Sequence, residues 1–361
     1  MGVSRTFGAE WKKARVGLQN RRILWADRDL LEPGLWVYSG WELWFRLGSR
    51  LPHHLRYAKG NLRGPLYYRA LKALISPAYW FIVWPHTTER PRYHAAVRGP
   101  NVDRETILFS HDSVLRILRS PRDADQVRLR KVWDRYVTNS AVLEDQTTDR
   151  FFVERLVPEG TTVNTSPLAQ RREAARTVAR QYSRLVRENP MGQLSNHREN
   201  ITIRLGRSSY QDLINAALER VGEERFWSLP LVPVGSDASP DNAIISPDGV
   251  AYFVDTEPIY LRPAFALPFT IWAAWDTPSG ELLSAFLAGD GDTDLIPLFG
   301  ETQPSPPLSP EDRMAWLILG ILTPPVRPEV LRRRIRPADP LLDHYGITER
   351  AHSLLLGDTS R

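Results

Sequence analysis

The chain has 361 residues, of which 42% are hydrophobic and 25% charged, a composition typical of a globular protein long enough for two domains or one two-lobed domain. It has no cysteine, which excludes disulfides and thiolate metal sites. No apolar run approaches the roughly 20 residues that span a bilayer, and the N-terminus lacks the apolar core of a secretory signal, so we expect a cytoplasmic protein.

Residues 1–88 have a helical, aromatic pattern that proline and glycine interrupt, and we interpret them as a basic, Trp-rich helical extension. The first hundred residues carry 17 Lys and Arg against 6 Asp and Glu, a net charge of +11, and seven of the twelve tryptophans. Such a segment suits packing against the main body, an anionic membrane surface or nucleic acid. Packing is the default, peripheral contact with the inner face of a membrane stays open, and nucleic acid is not an expected partner.

Residues 89–157 are predicted to form a small sheet with one helix. Three runs rich in strand-forming residues follow one another, "YHAAVRG", "ETILFSH" and "SVLRILR". A charged helix is predicted from about Ala124 to Tyr136, and "RFFVERLV" supplies a later strand. We expect 107–119 and 151–157 to be neighbouring strands of this sheet.

Residues 158–361 are predicted to be mainly helical. Ser166 is a plausible N-cap, and Pro167 suits the first position of a helix that runs to about Glu188. A second helix spans roughly 210–223, and the C-terminal part is helical with proline-rich interruptions.

The stretch "GSDASPDNAIISPDGVAYFVDTE" at 235–257 is predicted to contain a β-hairpin, because two short β-prone runs flank a Pro-Asp-Gly turn. Asp237 and Asn242 precede the hairpin and Asp255 follows it. Phosphoryl transfer from ATP needs one carboxylate to accept the proton of the attacking hydroxyl, and an amide and a second carboxylate to hold Mg²⁺. Asp241 and Asp248 are interpreted instead as turn and capping residues.

This stretch resembles the catalytic loop and metal-binding hairpin of the protein-kinase-like superfamily, of the aminoglycoside phosphotransferase and bacterial sugar or lipopolysaccharide kinase type. The resemblance implies an α+β, two-lobed kinase-like fold with a helical, aromatic-rich extension at 1–88, a small lobe at 89–157 and a large lobe at 158–361. It implies ATP and Mg²⁺ as cofactors, with Asp237 as the catalytic base, Asn242 and Asp255 as metal ligands, and Glu257 as the acid that ends the second motif.

Nucleotide contacts are implied at two further positions. No G-x-G-x-x-G is present and the expected third-strand lysine is absent, so Arg116 in "SVLRIL" is the nearest stand-in for a phosphate contact. Glu154 falls where the chain would cross between lobes and offer backbone groups to adenine. The expected acceptor is a hydroxyl of a small molecule, saccharide or glycolipid, and the alternative is a pseudokinase-like binding or scaffolding protein with weak or no catalysis.

A second acidic stretch, "GDGDTDLIPLFGE", places Asp290, Asp292, Asp294 and Glu301 at positions 1, 3, 5 and 12 of a calcium-loop pattern. Leu295 occupies the sixth position, where that pattern requires glycine. We therefore expect an acidic surface loop rather than a calcium site.

Overall fold

The computed structural model describes residues 21, 24–25, 28–38, 43–49, 80–85, 93–98, 105–110, 113–118, 124–137, 148–149, 151–155, 160–235, 238–254, 259–276, 280–299, 307–326 and 339–357. The chain folds as two compact units. The first comprises Met1–Ala124 and Val142–Glu159, and the second comprises Asp125–Ala141 and Gly160–Arg361.

The first unit contains a seven-stranded antiparallel sheet. Its strands are β1 (Gly34–Tyr38), β2 (Leu43–Arg46), β3 (Trp80–Val83), β4 (Ala95–Arg98), β5 (Glu105–Phe109), β6 (Ser113–Leu118) and β7 (Phe151–Arg155). Their order across the sheet is β3-β1-β2-β4-β5-β6-β7. The predicted pairing of 107–119 with 151–157 is confirmed for 113–118 and 151–155, because β6 and β7 are neighbours from Ser113↔Arg155 to Ile117↔Phe151. Residues 107–109 belong instead to β5, which lies on the other side of β6.

An aromatic core covers one face of this sheet. In β3, Phe81 and Val83 are buried while Trp80 and Ile82 are not, which is the period-2 alternation of a strand with one buried face. The Phe81 ring stacks on Trp36 with centroids 5.8 Å apart and lies 5.1 Å from Trp44. Each such aromatic pair adds about 0.5–1.5 kcal/mol beyond the area that it buries.

The helical interpretation of residues 1–88 is wrong for 34–38, 43–46 and 80–83, which form strands. Tryptophans spaced along a segment fit either a helical stripe or alternating strand positions, and here pairing with a large sheet stabilises the strand. The sheet consequently begins well before residue 89, and most of the helix expected to accompany it belongs to the second unit. The three-part division at residues 88 and 157 stays a prediction.

The second unit is mainly helical. Its helices are α1 (Ala124–Tyr136), α2 (Leu168–Glu188), α3 (Arg198–Leu205), α4 (Gln211–Val221), α5 (Glu223–Ser228), α6 (Ala266–Ala274), α7 (Glu281–Leu287), α8 (Asp292–Leu295), α9 (Pro310–Leu322), α10 (Asp339–His344) and α11 (Thr348–Leu356). Two small antiparallel sheets accompany them, with strands β8 (Thr161–Thr162), β9 (Leu231–Gly235), β10 (Ala243–Ile245), β11 (Ala251–Phe253) and β12 (Ile259–Pro263). The first has the order β11-β10-β8, and the second pairs β12 with β9.

The core of the second unit is built on α2 and α9. Helix α2 buries small residues and Tyr182 along one stripe, whereas every residue from Arg313 to Leu322 in α9 is buried. Helix α9 begins with a capping box, in which Ser309 and Asp312 each accept a hydrogen bond from the other's backbone N–H. Trp133 of α1 joins this core, with its ring 5.9 Å from Tyr182 and 5.8 Å from Phe253.

No helix among the described residues combines the length and the apolar character needed to cross a bilayer.

Candidate active site

The predicted hairpin is confirmed between residues 243 and 253. Strands β10 and β11 pair with the register Ala243↔Phe253, Ile244↔Tyr252 and Ile245↔Ala251. The turn closes through a 2.9 Å bond from the Gly249 N–H to the Ser246 carbonyl, and Gly249 has a φ of +80° that favours glycine. Because β10 also pairs with β8, the hairpin is held from both sides of its first strand.

Asn242 lies at the open end of this hairpin. It ends a 3₁₀ turn, Pro240–Asn242, in which its N–H donates to the Ser239 carbonyl at 3.0 Å. Its own carbonyl accepts from the Val254 N–H at 2.8 Å, so Asn242 lies opposite the residue that precedes Asp255. Its carboxamide is half-buried and makes no hydrogen bond to a described residue. A carboxamide without such a partner has an oxygen available for a cation.

Asp237, Asp255 and Glu257 lie outside the described residues, but the structure fixes the residues on either side of them. Gly235 ends β9 and pairs with Ile259, which begins β12. Asp237 follows Gly235 by two positions, and Asp255 precedes Ile259 by four. The two segments that carry the predicted carboxylates therefore leave and rejoin the same pair of strands.

Trp275 anchors the loop that carries Asp237. Its buried indole Nε1 donates to the Ala238 carbonyl at 3.0 Å, one residue beyond Asp237. The Trp275 carbonyl accepts from the buried Arg171 of α2 at 2.8 Å. Sequence reasoning missed this contact, because a tryptophan 37 positions downstream gives no local indication of its hydrogen-bond partner.

Gln126 of α1 anchors the other segment. Its Nε2 donates to the Ile259 carbonyl at 2.9 Å, and its Oε1 accepts from the Ile259 N–H at 3.2 Å. One side chain thus satisfies both backbone groups of the residue at which the segment after Asp255 returns to the sheet. The 133 positions between Gln126 and Ile259 explain why the sequence did not predict this contact.

Asp276 follows Trp275 and holds the start of α7, since its Oδ1 accepts from the Leu282 N–H at 2.6 Å. Burial raises the pKa of the Asp276 carboxyl, while backbone N–H donors at the helix start and the charge of Arg171 oppose that rise. The residue that anchors the loop, Trp275, is therefore followed directly by the residue that holds the start of α7, Asp276.

Arg116 and Glu154 lie in the first unit. Strand β6 lies between β5 and β7, so Arg116 is on an interior strand, opposite Ile107 on one side and Phe152 on the other. Its side chain is buried, with 5% of the residue exposed, and is not turned to solvent. Glu154 is paired with Val114 in β7, and its side chain is outside the described set.

The acidic stretch at 290–294 is held by arginines. Asp290 accepts from Arg172 Nε at 2.7 Å and also from Arg176. The buried Arg313 makes two hydrogen bonds to Asp292, and Arg180 lies 3.8 Å from Asp294. These carboxylates already face cationic partners, which disfavours an additional cation there. Glu301 lies outside the described residues.

Asp248 has the turn role predicted for it, whereas Asp241 bonds to a residue 77 positions away. Asp241 accepts from Asn164 Nδ2 at 2.6 Å, which joins the 3₁₀ turn to the segment after β8. Asp248 accepts from Ser246 Oγ within the hairpin turn. Within the described part of the chain, no three His, Asp or Glu side chains are grouped as a metal ion would require.

No protein-family model matches the sequence, and no curated protein sequence matches it. Among solved structures, the chain is similar to a choline/ethanolamine kinase family protein from Mesorhizobium loti, with 13% identity, a TM-score of 0.39, and coverage of 72% of this chain and 87% of that one. It is also similar to macrolide 2'-phosphotransferase MphH from Brachybacterium faecium, with 14% identity, a TM-score of 0.38, and coverage of 74% of this chain and 93% of that one. A third similar structure is aminoglycoside phosphotransferase APH(4)-Ia in complex with AMP-PNP and hygromycin B, with 10% identity, a TM-score of 0.41, and coverage of 74% of this chain and 95% of that one.

These solved structures are kinases and phosphotransferases of small molecules. Their TM-scores lie below 0.5 and their identities do not exceed 14%, so the activity of this chain depends on its own site residues. The chain itself combines an antiparallel sheet unit with a mainly helical unit that carries the hairpin.

Proposed function

We propose that the protein is an ATP- and Mg²⁺-dependent phosphotransferase that acts on a hydroxyl of a small molecule, saccharide or glycolipid. The observation that carries this proposal is the register of the hairpin at 243–253, together with the bond between Asn242 and Val254. That register puts Asn242 and Val254, the residue before Asp255, at one end of the hairpin. The segment that carries Asp237 leads into the same end.

The residue types at these positions are those that a magnesium-bound nucleotide requires. Mg²⁺ prefers oxygen ligands and is usually held by one or two carboxylates together with substrate phosphates. The Asn242 carboxamide, which has no hydrogen-bond partner among the described residues, and the carboxylate of Asp255 would supply such ligands. When bound, the ion neutralises charge on the phosphates of ATP.

The chain's own contribution to the proposed reaction is a general base. In the proposed step, the Asp237 carboxylate takes the proton of the acceptor hydroxyl while the hydroxyl oxygen bonds to the γ-phosphorus of ATP. The bond from that phosphorus to the bridging oxygen breaks, and ADP leaves with the electron pair. Trp275 holds the carbonyl next to Asp237 and so limits the movement of the base.

We place the phosphate contact of the first unit at Arg116 and the adenine contact at the backbone near Glu154. Arg116 is buried on an interior strand, which supports a role for it beyond surface solvation, and a guanidinium can bind phosphate through two nitrogens. The kinase-like superfamily that the sequence resembles carries lysine at this position, so an arginine here is also compatible with the pseudokinase alternative. A phosphate-transfer assay distinguishes the phosphotransferase from the pseudokinase.

The test is phosphate transfer from labelled ATP to a pool of hydroxyl-bearing small molecules and glycolipids. Asp237→Asn should reduce transfer by about 10²-fold or more, because it removes the base. The matched control is Asp241→Asn, four residues away, whose bond with Asn164 an amide oxygen can still accept.

Three results are informative. Transfer by the wild type and by Asp241→Asn, but not by Asp237→Asn, supports the proposal. Thermal stabilisation by ATP and Mg²⁺ without transfer supports the pseudokinase alternative. Absence of stabilisation at 100-fold excess over a kinase-like dissociation constant, where about 2.7 kcal/mol is expected, overturns nucleotide binding altogether.

A further inference from the structure

A cavity of about 200 Å³ lies in the second unit, between helix α3 and the segment that follows α9. Its polar wall belongs to α3 and to residues just outside the two ends of that helix: His197, Asn200, Arg204 and Arg207. These positions follow one another at intervals of three or four residues, which places them on one face of a helix. Four side chains that can donate hydrogen bonds therefore line a single cavity.

Pro325 and Val326 form the other wall, and hydrogen bonds to two elements hold it in place. The Pro325 carbonyl accepts from Arg204 Nη1 at 3.2 Å, so this bond connects the two walls. The Val326 N–H donates to the Leu261 carbonyl at 2.8 Å, which joins the wall to β12. The guanidinium of Arg204 consequently has a defined orientation at the cavity.

The charge of the lining is positive. Arg204 and Arg207 supply two permanent positive charges, because a guanidinium stays protonated in proteins. Among the described residues that line the cavity there is no Asp or Glu. The side chain of Arg207 also makes no hydrogen bond or ion pair with any residue that the structure describes. The cavity therefore favours an anionic ligand.

The remaining lining is apolar. Ile203 is 50% exposed, Pro325 and Val326 are half-buried, and Ile201 is buried behind them. The volume is smaller than the roughly 300–1,000 Å³ of sites for drug-sized ligands. The ligand should consequently be compact and should combine an anionic group with a short apolar part.

We propose that this cavity binds a compact phosphate monoester. At neutral pH such an ester carries about 1.5 to 2 negative charges and three acceptor oxygens, so it can neutralise both arginines, whereas a carboxylate brings a single charge. A guanidinium also matches phosphate oxygens through two parallel hydrogen bonds. Asn200 and a ring nitrogen of His197 can donate to the remaining oxygen. The proposal does not depend on phosphoryl transfer at 237–255.

The free phosphate ion is the competing ligand, because it offers similar oxygens without a carbon chain. The two ligands differ in their contact with Ile203, whose half-exposed side chain only the carbon chain of an ester would cover. Removal of apolar surface from water is favourable. The apolar part of the lining therefore favours the ester over the free ion.

The experiment is thermal denaturation of the full chain with increasing butyl phosphate, inorganic phosphate or pentanoate at constant ionic strength, from which each dissociation constant follows. The test variant is Arg207→Gln. The matched control is Arg187→Gln, which makes the same change of charge where the side chain is 76% exposed at the end of α2. We expect butyl phosphate to bind the test variant about tenfold more weakly than the wild type, and the control to bind as the wild type does. Pentanoate, with one charge, should bind the wild type more weakly than butyl phosphate.

Two further variants test the other parts of the lining. Arg204→Gln should also weaken the binding of butyl phosphate by about tenfold. Each dissociation constant is measured against the same variant without ligand, so a loss of stability from the missing bond to Pro325 does not obscure this result. Ile203→Ser should weaken the binding of butyl phosphate and leave that of inorganic phosphate unchanged.

Two results would overturn the cavity as the binding site. One is an equal dissociation constant of butyl phosphate for the wild type, Arg204→Gln and Arg207→Gln. The other is the absence of any stabilisation of the wild type by butyl phosphate at up to about 10 mM. Equal affinities of butyl phosphate and inorganic phosphate for the wild type would overturn the ester and assign the cavity to the free ion.

Discussion

Two acidic stretches of this chain have similar composition and different surroundings. The stretch at 290–294 carries three aspartates, and each faces an arginine: Asp290 faces two from α2, and Asp292 faces the buried Arg313 of α9. The stretch at 237–255 contributes Asn242, whose carboxamide bonds to no described residue. The spacing of acidic residues alone therefore does not define a cation site, because countercharges from distant helices decide which carboxylates are available.

The largest expected effect is on the arginine-held stretch. Arg313→Met should lower the free energy of unfolding by about 3–5 kcal/mol, because it leaves the Asp292 carboxylate without its buried partner; the side chains are 1% and 15% exposed. Urea denaturation measures the change. Arg220→Met is the control, since Arg220 pairs with Asp312 at the surface and such pairs contribute about 0–1 kcal/mol.

If Arg313→Met costs less than Arg220→Met, the pair with Asp292 is not what holds the 290–294 stretch. Adding Asp292→Leu to Arg313→Met should recover part of the lost stability, because the double change removes the uncompensated charge as well.

The second-largest effect is expected on the Mg²⁺ requirement, from a substitution in the stretch at 237–255. Asn242→Ala should raise the Mg²⁺ concentration for half-maximal phosphate transfer by about 10- to 100-fold, while the free energy of unfolding without metal changes little. Asp294→Asn, in the arginine-held stretch, should leave the Mg²⁺ requirement unchanged. The reverse result, with Asp294 controlling the Mg²⁺ requirement, would exchange the roles given to the two stretches.

A smaller effect is expected from the anchor of the loop with Asp237. Trp275→Phe keeps an aromatic ring beside Phe253 but removes the donor to Ala238, which should cost about 1–2 kcal/mol of stability. The kcat should fall while KM stays near its wild-type value, because the base is less well positioned. Trp227→Phe is the control, since it loses an indole bond to Glu223 in another part of the unit. A change in KM alone would show that Trp275 does not position the base.

The smallest effect is a pH dependence of stability. Burial raises the pKa of Asp276 in the folded protein, so the folded state retains a proton that the unfolded state releases as pH rises above about 4. Wild-type stability should therefore fall relative to Asp276→Asn, which can still accept from Leu282, as pH increases from that value towards neutrality.

The variant Glu311→Gln should show the opposite pH dependence of stability relative to the wild type. The hydrogen bond from the Ser309 side chain lowers the pKa of Glu311, so wild-type stability should rise relative to this variant as pH rises through the range in which the unfolded carboxyl ionises. Denaturation curves across pH measure both differences. Parallel curves for the wild type and Asp276→Asn would show that the Asp276 pKa is not raised.

Local signals in the sequence predicted local structure. The Pro-Asp-Gly turn and the two short β-prone runs were sufficient for the hairpin at 243–253, and alternating apolar residues were sufficient for β6 and β7. The strands at 34–38, 43–46 and 80–83 were interpreted as helix, because tryptophan spacing does not separate the helical period from the strand period without the partner strands.

Contacts between distant residues could not be predicted from the sequence. Arg172 and Asp290 are 118 positions apart, and Gln126 and Ile259 are 133 apart. Nothing in either local segment specifies the other, since only the packing of helices and strands brings them together. The site was therefore predictable as a set of residue types on a hairpin, but the anchors that hold its loops were not.

The course of the chain has a consequence for how the second unit is made. The chain contributes 125–141 to that unit, returns to the first for 142–159, and enters the second again at residue 160. During synthesis, Trp133 emerges before Tyr182 and Phe253, against which its ring packs, so the Trp133 ring stays uncovered on the ribosome until those residues follow. Proteolysis near residue 160 would likewise release a fragment without that tryptophan, and its exposed aromatic pocket would favour aggregation.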